Sequence, residues 1–412
     1  MIADERVEQL AFEQRRSLPF SLYIHIPFCA HKCPYCDFNT YAVGPRIPED
    51  EYLAALAAEL DFRAAEPAWS GRTIATIFFG GGSPSLLSAR GIASFLILIS
   101  RFFSVDENAE ISIEVNPNDP TPSWFSEIRR AGVNRVSIGA QSFNDDLLKK
   151  LGRTHSAAQI YSTISAAREA DLTNCSVDLM FGIPGQTTEL FIRDLHEAIA
   201  LKTPHLSLYG LTIEPGTPFF QSTKRRLLKL PSEQISIEMM DKAEDLLPAA
   251  GLHRYEISNY SAPTFEARHN LAYWTRGDYL GIGAGAHSFC SASCEEPKVT
   301  EKTFGRRWSN IAPFQLYRDH VAAFGKAESW EENLTRGNAI FEELLLGLRL
   351  TSGIRAVDWP DRYAIGLAER YGLKLSQLQK EGLLRWDPEA TTVSVTSRGL
   401  RVFDSLIEQF LE

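Results

Sequence analysis

The chain has 412 residues, with 42 Lys and Arg against 52 Asp and Glu, for a net charge of −10. Hydrophobic residues at 44% and charged residues at 23% describe an ordinary globular protein, long enough for one large domain and a smaller one. The acidic balance gives no general footprint for a phosphate backbone, so nucleic acid is not an expected partner and radical modification of RNA is disfavoured. The most apolar run, Phe95–Ile99, meets Arg101 and is too short to span a bilayer, so no membrane span is expected.

Met1–Arg16 is rich in charge and lacks the apolar core of a signal peptide, so residues 1–20 read as an N-terminal extension and the location as a reducing cytoplasm. From there, short β-rich runs recur: Leu22–Ile26, Thr76–Phe79, Ile111–Val115, Arg135–Gly139, Ser176–Phe181 and Leu206–Tyr209. Helical patterns lie between them, marked by Tyr52, Leu53, Leu56 and Leu60, by Ile160, Ile164 and Ala167, and by Leu190, Leu195 and Ile199. Strands alternating with helices predict a parallel sheet. Six units are too few for a closed eight-stranded barrel, so a curved, partial (β/α)6 barrel over residues 21–258 is the consistent reading.

The pattern changes after Ser258. Residues 259–312 read as a linking segment in which Glu266 to Cys294 show no clear periodicity. Residues 313–412 read as a compact winged-helix-like domain. It has a helix over Ala339–Leu350, another over Leu373–Glu381, a hairpin of Leu383–Trp386 with Thr392–Val395, and a last helix over Leu400–Leu411.

Chemistry concentrates just past the first strand, in Cys29-Ala30-His31-Lys32-Cys33-Pro34-Tyr35-Cys36. Three thiolates on one loop suit a metal centre. A four-iron cubane normally takes four cysteines, so three leave one iron open to a small molecule. Structural zinc needs four ligands in two pairs, and Cys175, Cys290 and Cys294 are far away in sequence. In parallel α/β sheets ligands sit beyond the carboxyl ends of the strands, the face this loop occupies. Strand two ends in Gly80-Gly81-Gly82-Ser83, which suits close backbone approach to a bound amino acid or, alternatively, a tight turn. Glu114 ends strand three, where a carboxylate suits ribose hydroxyls or is a plain surface acid. Gln141, Arg153 and Asp178 follow on later strands. Each of these alone fits a satisfied interior polar residue; together they place polar groups around one pocket. In His269-Asn270-Leu271-Ala272-Tyr273-Trp274 an imidazole suits axial ligation of heme iron and the aromatics offer flat surface, although such a histidine is more often structural.

The cysteine run resembles the signature of the radical S-adenosylmethionine proteins. The ordered set HIPFC-x3-C-x2-CDF, FFGGGSPS, SIEVNP, SIGAQSF, VDLMFGIPGQT, HNLAYW and YLGIGAGAHS resembles the oxygen-independent coproporphyrinogen III oxidase family, and within it the heme-chaperone branch. The resemblance covers Leu22 to the C-terminus. It implies a [4Fe–4S] cluster on Cys29, Cys33 and Cys36, and an S-adenosylmethionine pocket lined by Tyr23, Tyr35, Gly81, Gly82, Ser83, Glu114, Gln141, Arg153 and Asp178. It further implies heme at His269 with Tyr273 and Trp274, delivery of heme to respiratory client proteins and an electron donor to the cluster; separately, three ligands from each of two chains could share metal, which leaves room for a homodimer bridged by the cluster loop. The alternative it implies is radical decarboxylation of porphyrinogen propionates. The oxidase branch carries a further cysteine two residues past its third ligand, where this chain has Phe38, and a longer N-terminal extension than the 28 residues before Cys29.

Overall fold

The computed structural model describes residues 18–44, 46–291 and 303–411; most of the expected N-terminal extension, and Cys294, lie outside them. All six expected strands form, each longer than its apolar nucleus. They are β1 (Phe20–Ile26), β2 (Thr73–Gly81), β3 (Ser104–Val115), β4 (Arg135–Gln141), β5 (Cys175–Phe181) and β6 (His205–Gly210). They pair in parallel in the order 1-2-3-4-5-6. On their outer faces Leu22, Ile24, Ile77, Phe79, Ile113, Val136, Ile138, Val177 and Leu206 are buried in one core with the apolar faces of the surrounding helices. Burial of the outer face is what crossover helices packed on a parallel sheet require.

The helices follow their caps. Ser88, Thr121, Thr187 and Ser232 each accept a hydrogen bond from a backbone N–H in the first turn of the helices Ala89–Phe102, Pro122–Arg130, Thr188–Ala200 and Glu233–Ala249.

The linking segment is more ordered than its sequence pattern conveys. It supplies β8 (Asn259–Ser261), the helix Arg268–Trp274, β9 (Tyr279–Ile282), β10 (His287–Cys290) and β11 (Arg306–Asn310). With β7 (His253–Arg254) and β12 (Glu328–Asn333) these complete a twelve-stranded sheet in the order β12-β11-β10-β9-β1-β2-β3-β4-β5-β6-β8-β7. Strand β9 lies parallel to β1, so a seventh parallel strand extends the barrel on that side. Each of these strands is five residues or fewer except β12, too short for a periodicity to register.

A buried carboxylate fastens this segment to the barrel. Glu59, on helix Glu49–Ala65, accepts hydrogen bonds from Gly283 N–H (2.9 Å), Asn310 Nδ2 (2.8 Å) and the Tyr317 hydroxyl (2.7 Å), with Arg63 Nη2 at 3.6 Å. A buried charge persists only with such a full complement of partners. Helix Phe314–Phe324 docks through Phe314, Tyr317 and Val321 into the barrel's core, and a separate core begins at Leu334, joined by Phe289 of β10. In that second domain β13 (Ile354–Arg355), β14 (Leu384–Asp387) and β15 (Thr392–Val395) form a small sheet in the order β13-β15-β14 beside helices Arg336–Gly347 and Leu367–Lys380, a winged-helix-like arrangement. The expected last helix is two short ones, Ser397–Leu400 and Phe403–Glu408, with a break at Arg401-Val402.

Candidate cofactor site at the mouth of the barrel

The alternation of the strands builds the site. Ser112 and Glu114 on β3, Ser137 on β4, Asp178 on β5, and His205 and Ser207 on β6 take the positions between apolar neighbours, and all line a cavity of about 590 Å³ inside the barrel. Adjacent strands hold them level, with Glu114 opposite Ser137 and Asp178 opposite Ser207. Asp178 accepts from the hydroxyls of Ser137 (2.9 Å), Ser176 (3.1 Å) and Ser207 (2.6 Å), yet burial still pushes its carboxyl up. Glu114 accepts from Gly81 N–H at 2.9 Å. Burial, aided by the nearby Asp178, raises its pKa to about 7.

The cysteine loop roofs this cavity. Cys29, Cys33 and Cys36 are all free, partly exposed thiols on its wall. Burial pushes the Cys29 thiol up to about 11 and raises Cys36 as well. Arg153 reaches the loop from below. Its Nη2 donates to Asn116 Oδ1 (2.8 Å) and Gly139 O (3.0 Å), and its Nη1 lies 3.7 Å from Cys33 Sγ. That contact ties the guanidinium to the second cysteine of the loop. Among the described residues no three metal-ligating side chains converge on a single point, as one ion would demand. A cubane presents three irons at separate corners, so three thiolates on an open loop fit it where they would not fit a lone ion.

The glycine run has a structural task that sequence reasoning set aside. Gly82 N–H donates to Ile26 O (2.8 Å) and Ser83 N–H to Phe28 O (2.7 Å), clamping the strand that carries Cys29. A Cβ on Gly82 would stand 2.5 Å from Phe28 O, and one on Gly81, at φ +110°, would strike the His25 ring at 2.4 Å. The tight turn is what the geometry shows, and Gly81, Gly82 and Ser83 also line the cavity. Further ties come from His25, whose ring bonds the Tyr23 hydroxyl (2.9 Å) and Asn39 O (3.0 Å). Phe219 N–H donates to Pro34 O beside Tyr35.

Of the residues expected around one pocket, Tyr35, Gly81, Gly82, Ser83, Glu114, Gln141, Arg153 and Asp178 meet in this cavity with the three cysteines. Gln141 holds a left-handed φ of 66°, costly for a side chain with a Cβ, at a register break between β4 and β5. Tyr23 is the exception: it sits against Phe78 and His25, off the lining. The serine layer, His205, Asn116 and Asn270 also line the cavity and went unnoticed in the sequence. The signal was present as small polar residues alternating with Val, Leu and Ile on four successive strands.

His269, expected as a heme ligand, lies in the interior of the barrel. Helix Arg268–Trp274 plugs the barrel, its first N–H groups bonded to Glu110 (3.0 Å each). His269 is 1% exposed, stacked on Phe78 at 5.0 Å, with Nδ1 bonded to Thr76 Oγ1 (2.7 Å) and Nε2 to the Tyr273 hydroxyl (2.9 Å). Both ring nitrogens are engaged within the chain, and burial lowers its pKa to about 3. Trp274 lies under Arg349 (4.8 Å), a contact to the C-terminal domain.

With this geometry established, comparison with known proteins is decisive on kinship. The Radical SAM superfamily model matches residues 23–198 and the HemN C-terminal domain model residues 334–402. The heme chaperone HemW of Lactococcus lactis is 34% identical over 393 residues, 95% of this chain and 97% of that one; that of Bacillus subtilis is 35% identical over 95% and 99%. This chain belongs to the HemW family. The HemW protein of Escherichia coli is 44% identical over 65% of this chain and 70% of its own. Among solved structures, the coproporphyrinogen III oxidase HemN of Escherichia coli, described as a radical SAM enzyme, superposes with a TM-score of 0.81 at 26% identity, covering 98% of this chain and 93% of that one. No helix of the described residues is long and apolar enough to cross a membrane.

Proposed function

We propose that this protein is a cytoplasmic heme chaperone that binds heme and delivers it to respiratory client proteins. A [4Fe–4S] cluster on Cys29, Cys33 and Cys36 and S-adenosylmethionine in the adjoining cavity govern loading or release. The observation that carries the reading is full-length kinship to proteins named heme chaperone HemW, joined to a chain whose cysteine loop ends on Phe38. In this reading Glu114 accepts ribose hydroxyls, Gln141 and Asp178 contact the rest of the sulfonium ligand, and Arg153 holds the cluster loop against β3 and β4; what supports it is that all four line the cavity. When bound, the cluster supplies an electron to S-adenosylmethionine. An electron donor reaches it across the exposed loop face, where Phe38 is 60% exposed.

The second reading is an oxidase acting on porphyrinogen propionates, favoured by the close superposition on HemN. The test is an anaerobic hemin titration of reconstituted protein, followed at the Soret band, beside an assay of coproporphyrinogen turnover. Saturable hemin binding without turnover supports the chaperone; turnover without saturable binding supports the oxidase. Replacing all three loop cysteines with Ala removes the cluster's broad absorbance, and retained full iron and sulfide content would dismiss the ligand set.

A further inference from the structure

One basic run stands out in the sequence, Lys224-Arg225-Arg226, and the structure sets it beside the cysteine loop. Residues 218–229 carry four cations, Lys224, Arg225, Arg226 and Lys229, and no acid, in a chain of net charge −10. Helix Pro218–Lys224 starts against the loop: Phe219 N–H donates to Pro34 O (3.0 Å), and the Phe219 ring lies 6.2 Å from that of Tyr35. A second short helix, Asp145–Lys150, ends on the same loop, because Gly152 packs on Pro34 so closely that a Cβ would stand 2.5 Å from its Cδ. Leu147, Leu151 and Phe219 share one apolar cluster with Tyr35 and Leu228, which holds both helices to the loop as one wall. Lys150, Lys224, Arg225, Arg226 and Lys229 are all exposed, and among the described residues none of them forms an ion pair. By contrast Arg72, Arg254, Arg276, Arg307 and Arg362 each pair with a carboxylate. The wall's acids, Asp37, Asp145, Asp146 and Glu214, are fewer than its cations, and two are engaged: Asp145 accepts from Ala157 N–H (2.8 Å) and Asp146 pairs with Lys149 (3.4 Å). In the midst of the cations Leu227 is 77% exposed. On the loop itself Lys32 Nζ donates to Phe38 O (3.0 Å) and Thr40 O (3.3 Å), a further cation held beside the exposed Phe38.

We propose that this wall is the docking surface of an acidic one-electron carrier protein, whose carboxylates meet the cations around Leu227 and whose redox centre is thereby brought to the cysteine loop. This rests on the reading that an electron donor reaches a cluster held by that loop, and it adds the donor's charge and place of contact. The charge argument turns on range. At physiological ionic strength charges are screened beyond about 8 Å, so a carrier arriving at this end meets the unpaired cations and not the chain's distant acids. Complementary charge steers the encounter and fixes its orientation, and an apolar side chain amid that charge supplies a desolvated contact at its centre. In the complex one electron leaves the carrier's reduced centre and enters the cluster. The carrier departs oxidised by one electron, and no bond forms or breaks.

The experiment uses the full chain, with and without its reconstituted cluster, and a flavodoxin as the acidic carrier probe. Binding is read by fluorescence anisotropy of labelled flavodoxin as NaCl is raised, and electron transfer by the rate at which reduced flavodoxin bleaches the cluster. Both are repeated on Lys224→Glu/Arg225→Glu and on Leu227→Asp. The control is Arg101→Glu/Arg130→Glu, an equal charge change on exposed residues at the C-terminal ends of helices Ala89–Phe102 and Pro122–Arg130, at the far end of the barrel from the loop. Wild-type affinity falls about tenfold or more from low to high salt. The Lys224/Arg225 variant binds about tenfold or more weaker at low salt and its cluster is reduced correspondingly slower, Leu227→Asp loses about threefold or more, and the control stays within about twofold. Binding that the wall variants leave untouched, or that the control weakens equally, overturns the surface; a cluster still reduced by flavodoxin then leaves the donor reading standing. A wild-type cluster that reduced flavodoxin never reduces removes both. Binding to phosphatidylglycerol vesicles that the wall variants abolish, while flavodoxin binding persists, overturns the carrier in favour of a lipid surface. Should the charge variant fail to fold, Leu227→Asp and the wild-type salt titration still decide.

Discussion

Replacing Glu114 with Gln should make the protein more stable at neutral pH while weakening its grip on S-adenosylmethionine. The side chain keeps its shape, and an amide oxygen still accepts from Gly81 N–H, so the change isolates the charge. Burial raises the carboxyl from 4.5 to about 7, which means the folded chain holds this proton more tightly than the unfolded chain. The penalty for ionising it is absent below pH 4.5, grows as pH rises from 4.5 to 7, and is constant above. At about 1.4 kcal/mol per pH unit, the wild-type protein forfeits at most about 3 kcal/mol at pH 8, and under about 1 kcal/mol at pH 5. Removing the charge also relieves Asp178, which Glu114 repels across the cavity. Urea unfolding of the metal-free protein at pH 5 and pH 8 should therefore show the variant gaining on the wild type as pH rises. Equilibrium dialysis should show S-adenosylmethionine binding several-fold weaker. Equal pH dependence in the two proteins would refute the buried-carboxyl account, and undiminished ligand binding would remove Glu114 from the pocket.

Gly82→Ala drives a Cβ into two carbonyl oxygens of the cysteine strand and should cost about 2–4 kcal/mol, together with most of the reconstituted iron and sulfide; a normal cluster in the variant would show that the clamp is dispensable. Gln141→Gly relieves a left-handed φ while adding conformational entropy to the unfolded chain, and the two oppose each other, so stability should move by under about 1 kcal/mol. Its S-adenosylmethionine affinity should nonetheless fall, and unchanged affinity would leave Gln141 as a turn residue. His269→Ala leaves a void and strands the hydroxyls of Thr76 and Tyr273, costing about 2–4 kcal/mol by thermal or urea unfolding. Hemin affinity of the folded variant decides between brace and ligand: retention within a few-fold of wild type leaves a brace, and its loss marks the ligand.

What the sequence decided by itself is what is local in the chain. The spacing of Cys29, Cys33 and Cys36 puts three thiols on one turn of loop whatever lies around them. Apolar residues alternating with Glu114 and Asp178 assign one face of each strand to the helices and the other to an interior, so the barrel and its two carboxylates were legible, while the serine layer beside them was not. Gly82 was legible as a close approach, but not that it approaches the cysteine strand, because Phe28 and Gly82 are 54 positions apart and meet only when β1 and β2 pair. The three-dimensional arrangement alone decided the surroundings of His269. Its neighbours Thr76 and Phe78 belong to a distant strand, and only packing settles which groups meet its two nitrogens. It alone also decided that residues 259–312 extend the barrel, since β9 finds its edge on β1 by backbone pairing that no side-chain pattern announces. The cationic wall beside the cysteine loop is likewise a property of packing: Lys150 and Lys224 belong to helices far apart in the chain, and only their common seat on Pro34 and Tyr35 brings both to the loop.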